Sequence, residues 1–405
     1  MSFVLRARWV LPVDGAPIAG GYVSVADGRI TAVGAADPAM GPVQDLGDVV
    51  LTPGLVNAHT HLEFSTIERP LGEPGIGLPA WIRLVIGERI RRDHDPQAAI
   101  AAGLVESLNH GVTTIGDIAT SPAAAYAGPQ SRPTTVSFQE SIGFSAGRVD
   151  SVFGELQRRL DETPMPAGLS PHAPYTVHPR LLEQIVRLAI LRGAPVAMHL
   201  AESREELGLL ENGGGPFREL LVERSMWDAS AIPLGTRPLD YLRGLADAPR
   251  SLVIHGNYLA VDEIEFIGQH RQRMSVVYCP RTHAYFGHDT YPLEAMRSAG
   301  VRVALGTDSR ASNPDLSIVG ELRHVAMTFP KLAPAEILRM ATVDGAEALG
   351  LDGEVGSLAI GKRADLLAIP CDPKTSDPYE ALLVAKSEPY RVCIGGREAL
   401  HAARI

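Results

Sequence analysis

The sequence predicts an α/β protein: a (β/α)8 TIM-like barrel with a small β-sandwich domain built from both chain termini. Three observations point there. Eight short apolar runs of β character alternate with helical stretches through the middle of the chain. Hairpin-like segments occupy both ends. Several of the apolar runs finish on a histidine or an aspartate, at the strand ends where barrel enzymes keep their chemistry.

Taken in order, the first fifty residues read as short strands joined by turns. "FVLRARWVLPVDG" ends in Asp-Gly, and "GGYVSVADGRITAVG" is two alternating runs meeting at Asp27-Gly28, a strong hairpin signal. The candidate barrel strands are "GLVNAHTH", "TTIGDIA", "TTVSFQ", "GLSPHAPY", "PVAMHLAE", "SLVIHGNYL", "MSVVYCP" and "VRVALGTDS". Helices lie between many of them. "DPQAAIAAGLVESLNH" has proline just inside its start, and "PRLLEQIVRLAILRG" closes on Gly193. "ENGGGPF", residues 211–217, reads as a flexible loop. An open doubly wound sheet is the competing fold, although no Gly-rich phosphate loop follows the first strand. Towards the other end, "GSLAIGKRADLLAIP" and "YRVCIGGREAL" return to strand, turn and strand. The two flanks can pair into one small β-domain, residues 1–52 plus 353–405, around a barrel of 53–352; two independent caps are the alternative.

Composition narrows the function. The 405 residues carry a formal net charge of -10, so no global field draws the chain to nucleic acid or anionic lipid, and a small-molecule partner is expected. Cys279, Cys371 and Cys393 are too widely spaced for a disulfide framework or a CxxC metal knuckle. "MSFVLRARWV" lacks the apolar core of a signal peptide, and no run approaches a membrane span, so a cytoplasmic protein is expected.

The chemistry concentrates at the strand ends. His59 and His61, two apart at the end of the first candidate strand, alternate onto one side and make half a metal site. His172 follows the fourth strand, His199 the fifth, His255 the sixth and Asp308 the eighth. Imidazole and carboxylate suit zinc or iron(II), and three histidines with an aspartate hold such an ion with one position open for water. Any one of these residues alone is more simply a hydrogen-bonded core histidine; their joint placement is not.

"PGLVNAHTHLEFS", "PHAPYTV", "HLAE", "VIHG" and "GTDSRASN" together resemble the amidohydrolase superfamily on its deaminase and chlorohydrolase branch, across essentially the whole chain. The resemblance implies that His59, His61, His199 and Asp308 bind one divalent metal per chain, Zn2+ first and Fe2+ second. It implies that His255 contacts the metal-bound water and that Glu202 handles protons; on that footing Asp308 is expected also to accept a proton from the water and Glu202 to protonate a ring nitrogen. Dinuclear members of the superfamily bridge two metals with a carbamylated lysine after the fourth strand. This chain has no lysine before Lys331, which leaves a mononuclear site. In purine-nucleoside deaminases of the family, the histidine matching His172 contacts substrate.

Within the branch, "HTHLEFS", "HLAESREE" and "GTDSRASNPDLSIVGELR" look most like 6-aminodeoxyfutalosine deaminases of the menaquinone pathway. These exchange a purine 6-amino group for a 6-oxo group on an adenosine-like molecule with a benzoate tail. A buried anionic tail wants an arginine fork; Arg148 and Arg310 are the candidates, although most arginines here are surface charge. Trp81 is placed either at the mouth, stacking on a base, or in the core. "CPRTHAYFGH", with Arg281, His283 and His288, departs from many relatives and reads as a variable loop with solvent-facing histidines. Cys279 reads as a packing residue. The alternatives are deamination of guanine, methylthioadenosine, S-adenosylhomocysteine or another adenosine derivative, hydrolysis of a chloro-substituted heterocycle, and a barrel retained only as a scaffold. Many relatives are dimers, so a homodimer is compatible with the resemblance.

Overall fold

The computed structural model describes residues 2–35, 41–91, 95–121, 123–126, 132–163, 165–384 and 387–401. Eight strands, Leu55–Thr60, Val112–Ala119, Thr134–Ser141, Ala167–Pro171, Val196–Leu200, Ser251–His255, Met274–Tyr278 and Arg302–Leu305, form one parallel sheet. Every neighbour in space is a neighbour in sequence, which excludes the doubly wound alternative with its reversal of strand order. A parallel bridge between Thr60 and Asp308 brings the exit of the last strand against the first, so the sheet is a nearly closed barrel. Both faces are covered, which is why the strands read as continuous apolar runs rather than alternating ones.

The two faces separate cleanly in the fifth strand. Val196, Met198 and Leu200 pack outward into the main core shared with the helices, whereas Ala197 packs inward with Phe138, Leu252 and Ile254. His199 shares the inward parity of Ala197. Helix Val343–Leu349 adds Ala346 and Leu349 to the same inner cluster. It approaches closely because Gly345 faces Val56, where a Cβ would lie 2.9 Å from that side chain.

Local signals explain the helices. In Pro179–Arg192 the His178 side chain accepts from the Arg180 N–H, Pro179 opens the first turn and Gly193 closes the helix at φ 63. Asp95 caps Pro96–Asn109 through the Ala98 N–H. The stretch 211–217 departs from the flexible loop expected of it. Gly213 is the left-handed cap of Arg204–Asn212, and Pro216 at once opens Pro216–Glu223, so the glycines make a tight corner.

The flanks join rather than cap separately. One sheet runs Arg29–Gly34, Tyr22–Ala26, Ser2–Arg6, Val43–Asp45. The second is six-stranded, and in it Val49–Pro53 from the early part of the chain pairs antiparallel with Leu366–Pro370 from the late part. Leu5, Val23 and Ile30 of the first sheet share a core with Leu51, Leu366 and Ala368 of the second, which makes a sandwich.

Candidate active site

The first barrel strand delivers two histidines to one point, but not by simple alternation. Its pairing to the second strand shifts register between Leu55 and Val56 and again between Asn57 and Thr60, and His61 lies beyond the last strand residue. The segment is held instead by side-chain bonds. Asn57 Nδ2 donates to Thr307 Oγ1 (2.8 Å), and Thr60 Oγ1 donates to the Asp308 carbonyl (2.8 Å). Asp117, at the end of the second strand, accepts from the Leu62 N–H at 2.8 Å and from the Tyr126 hydroxyl.

These ties place the Nε2 atoms of His59 and His61 at 3.6 and 3.5 Å from Asp308 Oδ1. Ligating atoms of His59, His61 and Asp308 lie within 4.8 Å of one another, as do those of His59, His199 and His255. His59 is common to both groups, and the His61 and His199 rings lie 5.5 Å apart between centroids. His255 stands within ligand range as well. The remaining oxygen of Asp308 accepts from Ser312 Oγ at 3.0 Å.

The donor set fits a divalent cation. Both ring nitrogens of His59 are fully buried without a hydrogen-bond partner among the described residues, which costs roughly 1–3 kcal/mol for each unsatisfied group. His199 donates its Nδ1–H to the His172 carbonyl at 3.0 Å, leaving the Nε2 lone pair for a metal. Burial holds His59, His61 and His255 well below the usual imidazole range, with neighbouring histidines adding to the effect; burial also lowers His199. Neutral imidazole is the ligating form.

Glu202 faces this cluster, its Oε1 3.3 Å from His255 Nε2. Burial, and then the nearby Asp308 charge, pushes its carboxyl well above the usual range. Glu206 clamps the turn that carries it, accepting from the Ala201 N–H at 2.8 Å and the Glu202 N–H at 2.9 Å, while Asn257 donates to the Glu202 carbonyl.

A cavity of about 250 Å³ opens beside the donors, lined by His61, His172, Glu202 and Asp308 and by Trp81, whose Nε1 donates to the Ala311 carbonyl at 3.0 Å. His172 is fixed by a 2.7 Å bond from Nδ1 to Thr176 Oγ1. Arg148 is exposed at the end of the turn Ala146–Arg148 and is not among the lining residues. Arg310 is spent elsewhere, on the Ile67 and Glu68 carbonyls and on Glu106 Oε1 at 2.9 Å. The arginines that do line the cavity are Arg89 and Arg224, and sequence reasoning missed both, together with Glu63 and Glu140. Glu140 was legible in principle, because it is a polar residue one place before the end of the third strand.

The loop after the seventh strand differs from the solvent-facing reading. Arg281 bonds Glu321 at 2.7 Å and Asp315 at 2.6 Å; Glu321 also accepts from Asn313, which donates to the Thr307 carbonyl. Arg281 thus braces the segment carrying Asp308. His283 and His288 are half-buried, and His288 Nδ1 meets the Tyr258 hydroxyl at 3.1 Å. Burial pushes the Cys279 thiol well up, which suits packing and not nucleophilic attack.

Neutral imidazoles and one carboxylate gathered at the C-terminal mouth of a (β/α)8 barrel, with a buried acid facing them, define the class of barrel hydrolases that work with a divalent cation. The chain belongs to the Amidohydrolase family, whose profile matches residues 50–398, and it is a hydrolase acting on carbon–nitrogen bonds. It is 30% identical over 392 residues to a 5-methylthioadenosine/S-adenosylhomocysteine deaminase of Moorella thermoacetica, covering 91% of this chain and 85% of that one. It is 31% identical over 327 residues to an aminodeoxyfutalosine deaminase of Deinococcus radiodurans, covering 76% and 75%. The crystal structure of Helicobacter pylori aminofutalosine deaminase with methylthio-coformycin superposes with a TM-score of 0.85 at 25% identity, over 98% of this chain and 99% of that one.

Proposed function

We propose that the protein is an aminohydrolase that converts the 6-amino group of an adenosine-type nucleoside to a 6-oxo group and releases ammonia. Its preferred substrate is 6-aminodeoxyfutalosine, which places it in menaquinone formation in the cytoplasm. The observation that carries the reading is the Glu202–His255 contact of 3.3 Å beside Asp308, because loss of ammonia needs an acid that chloride loss does not. Among the described residues no helix is long and apolar enough to cross a membrane.

His59, His61, His199 and Asp308 would hold one divalent cation, Zn2+ in preference to Fe2+ for this imidazole and carboxylate set. When bound, it supplies a Lewis acid that brings the pKa of water towards about 7. The chain's own groups move the remaining protons. Glu202, kept protonated by burial, gives its proton to the ring nitrogen next to the reacting carbon and makes that carbon electrophilic. His255 orients the attacking water and Asp308 takes one of its protons. That proton then passes to the amine, the C–N bond breaks, and ammonia leaves. The proton of the new hydroxyl returns to Glu202 as the 6-oxo group forms.

Leu220, Leu221, Met226 and Ile142 line the cavity together with Arg224, which is exposed. This setting supports an aromatic tail ending in a carboxylate, with Arg224 in the role that Arg148 and Arg310 do not fill. The same apolar wall supports a second reading, methylthioadenosine or S-adenosylhomocysteine, in line with the Moorella relative. The test is ammonia release by zinc- or iron-loaded protein on aminodeoxyfutalosine, methylthioadenosine, S-adenosylhomocysteine, adenosine and guanine. Aminodeoxyfutalosine should give the highest kcat/KM. Release from guanine alone would overturn the nucleoside assignment and leave the metal chemistry standing.

A further inference from the structure

Arg281 and Thr282, which follow Pro280 in "CPRTHAYFGH", do not line the cavity and have no task in the mechanism above. Each nevertheless begins a chain of bonds that ends at Asp308. Both belong to the helix Pro280–Phe286, directly after the seventh barrel strand. Apart from Arg281, every residue in the two chains is buried.

The chain from Thr282 reaches the Asp308 carboxylate. Oδ1 of Asp308 faces His59 and His61, while Oδ2 accepts from Ser312 Oγ at 3.0 Å. An ionised carboxylate has no proton to give, so the serine proton is spent on it and Ser312 Oγ is left as an acceptor. Thr282 Oγ1 lies 3.1 Å from that oxygen and 3.4 Å from the Thr307 carbonyl, which makes the serine its closer partner. A run of hydroxyls bonded in one direction strengthens its last bond, here the one to Asp308. The chain from Arg281 reaches the backbone instead. Glu321, in the helix Ile318–Thr328, accepts from the Arg281 N–H at 2.9 Å, from Arg281 Nε at 2.7 Å and from Asn313 Nδ2 at 2.8 Å. Asn313 Nδ2 also donates, at 2.7 Å, to the carbonyl of Thr307, the residue before Asp308. Gly320 leaves room for the Arg281 guanidinium, since a Cβ there would lie 2.7 Å from Nη1. Asp308 itself sits at φ 56, a conformation that a residue with a side chain keeps only where its surroundings hold it.

We propose that Thr282 and Glu321 are positioning residues for Asp308. Thr282 fixes the turn of its carboxylate, so that Oδ1 is presented to the cation, and Glu321 fixes the backbone that carries it. The proposal rests on the metal site and the reaction proposed above and deepens them, by naming what sets the hold on the cation. A brace that served the fold alone would stabilise the chain and leave cation affinity untouched. Outer bonds to metal-binding side chains contribute roughly 10–100-fold in affinity or activity.

The experiment titrates the full chain, stripped of metal, with Zn2+ in competition with a chelating dye, for wild type, Thr282→Val, Thr282→Ser and Glu321→Gln. Denaturant unfolding of the metal-free proteins and kcat and KM for ammonia release at saturating zinc complete it. Thr282→Val keeps the shape and loses the hydroxyl; it should weaken zinc about 10-fold or more and lower kcat. KM should stay within about 2-fold, because neither Thr282 nor Glu321 lines the cavity. Thr282→Ser restores the hydroxyl and should bind zinc as wild type does. Glu321→Gln should weaken zinc by roughly 10–100-fold. Wild-type zinc affinity and kcat in Thr282→Val, or in a folded Glu321→Gln, with only the unfolding midpoint lowered, overturns the role given to that residue. An equal loss in Thr282→Ser and Thr282→Val overturns the hydroxyl chain. Where Glu321→Gln folds poorly, the Thr282 pair decides. The zinc readout stands whichever nucleoside is deaminated, whereas a wild-type chain that binds neither zinc nor iron removes the metal reading and this proposal with it.

Discussion

Replacing Glu202 by glutamine isolates one proton. The glutamine side chain keeps nearly the same shape. The bonds that place residue 202 are made by its backbone, from its N–H to Glu206 and from Asn257 to its carbonyl, and they survive the change. Glu202 is outside the donor groups around His59, so metal content should stay at its wild-type level. What is lost is the acid beside His255, a carboxyl that burial pushes well above the usual range. Removal of a positioned general acid–base group costs at least ~10²-fold in turnover, or about 2.7 kcal/mol of barrier. Steady-state ammonia release gives kcat, and elemental analysis of the same preparation gives the metal. A variant that keeps its metal and turns over near the wild-type rate would refute the role given to Glu202.

Other predictions follow from the same geometry. Arg224→Met should raise KM about 10-fold or more for a substrate with an anionic tail and leave adenosine unchanged, whereas Arg148→Ala should change neither; kinetics on both substrates check this. Asp344 is raised from 3.8 to about 6 by burial, against the pull of Arg339, so folding favours its neutral form. Its stability contribution is therefore complete below about pH 4 and declines as pH rises to about 6. Asp344→Asn should match wild type near pH 4 and exceed it at pH 8 by up to ~3 kcal/mol, measured by denaturant unfolding at the two pH values.

The sequence exposed the donors of the site and hid much of what holds them. His199, His255 and Asp308 were readable because each interrupts an apolar run at a strand end, and that rule needs only strand order. The same rule reaches Asp117 and Glu140, which were passed over because carboxylates near strand ends are common and nothing local says which face the cavity. Arg89 and Arg224 were invisible for a different reason. They come from a helix and from the turn after another, and their approach to the mouth depends on how helices Leu78–Arg91 and Pro216–Glu223 pack above the barrel. Arg310 shows the converse: its place beside Asp308 in sequence says nothing of Glu106, more than two hundred residues away. The loop at 281–288 looked variable, yet Arg281 and Glu321 make it a brace.

Backbone conformation is the other hidden element. Ala201, His255 and Asp308 all sit at positive φ, 52, 68 and 56, although none is glycine. By parity with Val253, His255 belongs on the outer face of its strand; the left-handed turn at that residue accompanies its place in the cluster. Each such residue costs about 1–2 kcal/mol, and bonds from elsewhere hold it: Tyr291 donates to the His255 carbonyl, Thr60 to that of Asp308, and Tyr258 N–H to that of Ala201. Ala201 gives the test, because it carries the strain without the chemistry. Ala201→Gly removes a buried methyl worth ~0.8 kcal/mol and relieves a comparable left-handed cost, so stability should change by less than about 1 kcal/mol. Ala197→Gly, four residues earlier, inside the strand Val196–Leu200 that Ala201 follows, and equally buried, loses the methyl and about 0.5–1 kcal/mol of backbone entropy with no strain to relieve. It should cost clearly more. Equal losses in the two variants by denaturant unfolding would show that the backbone at the mouth of the barrel holds no such strain.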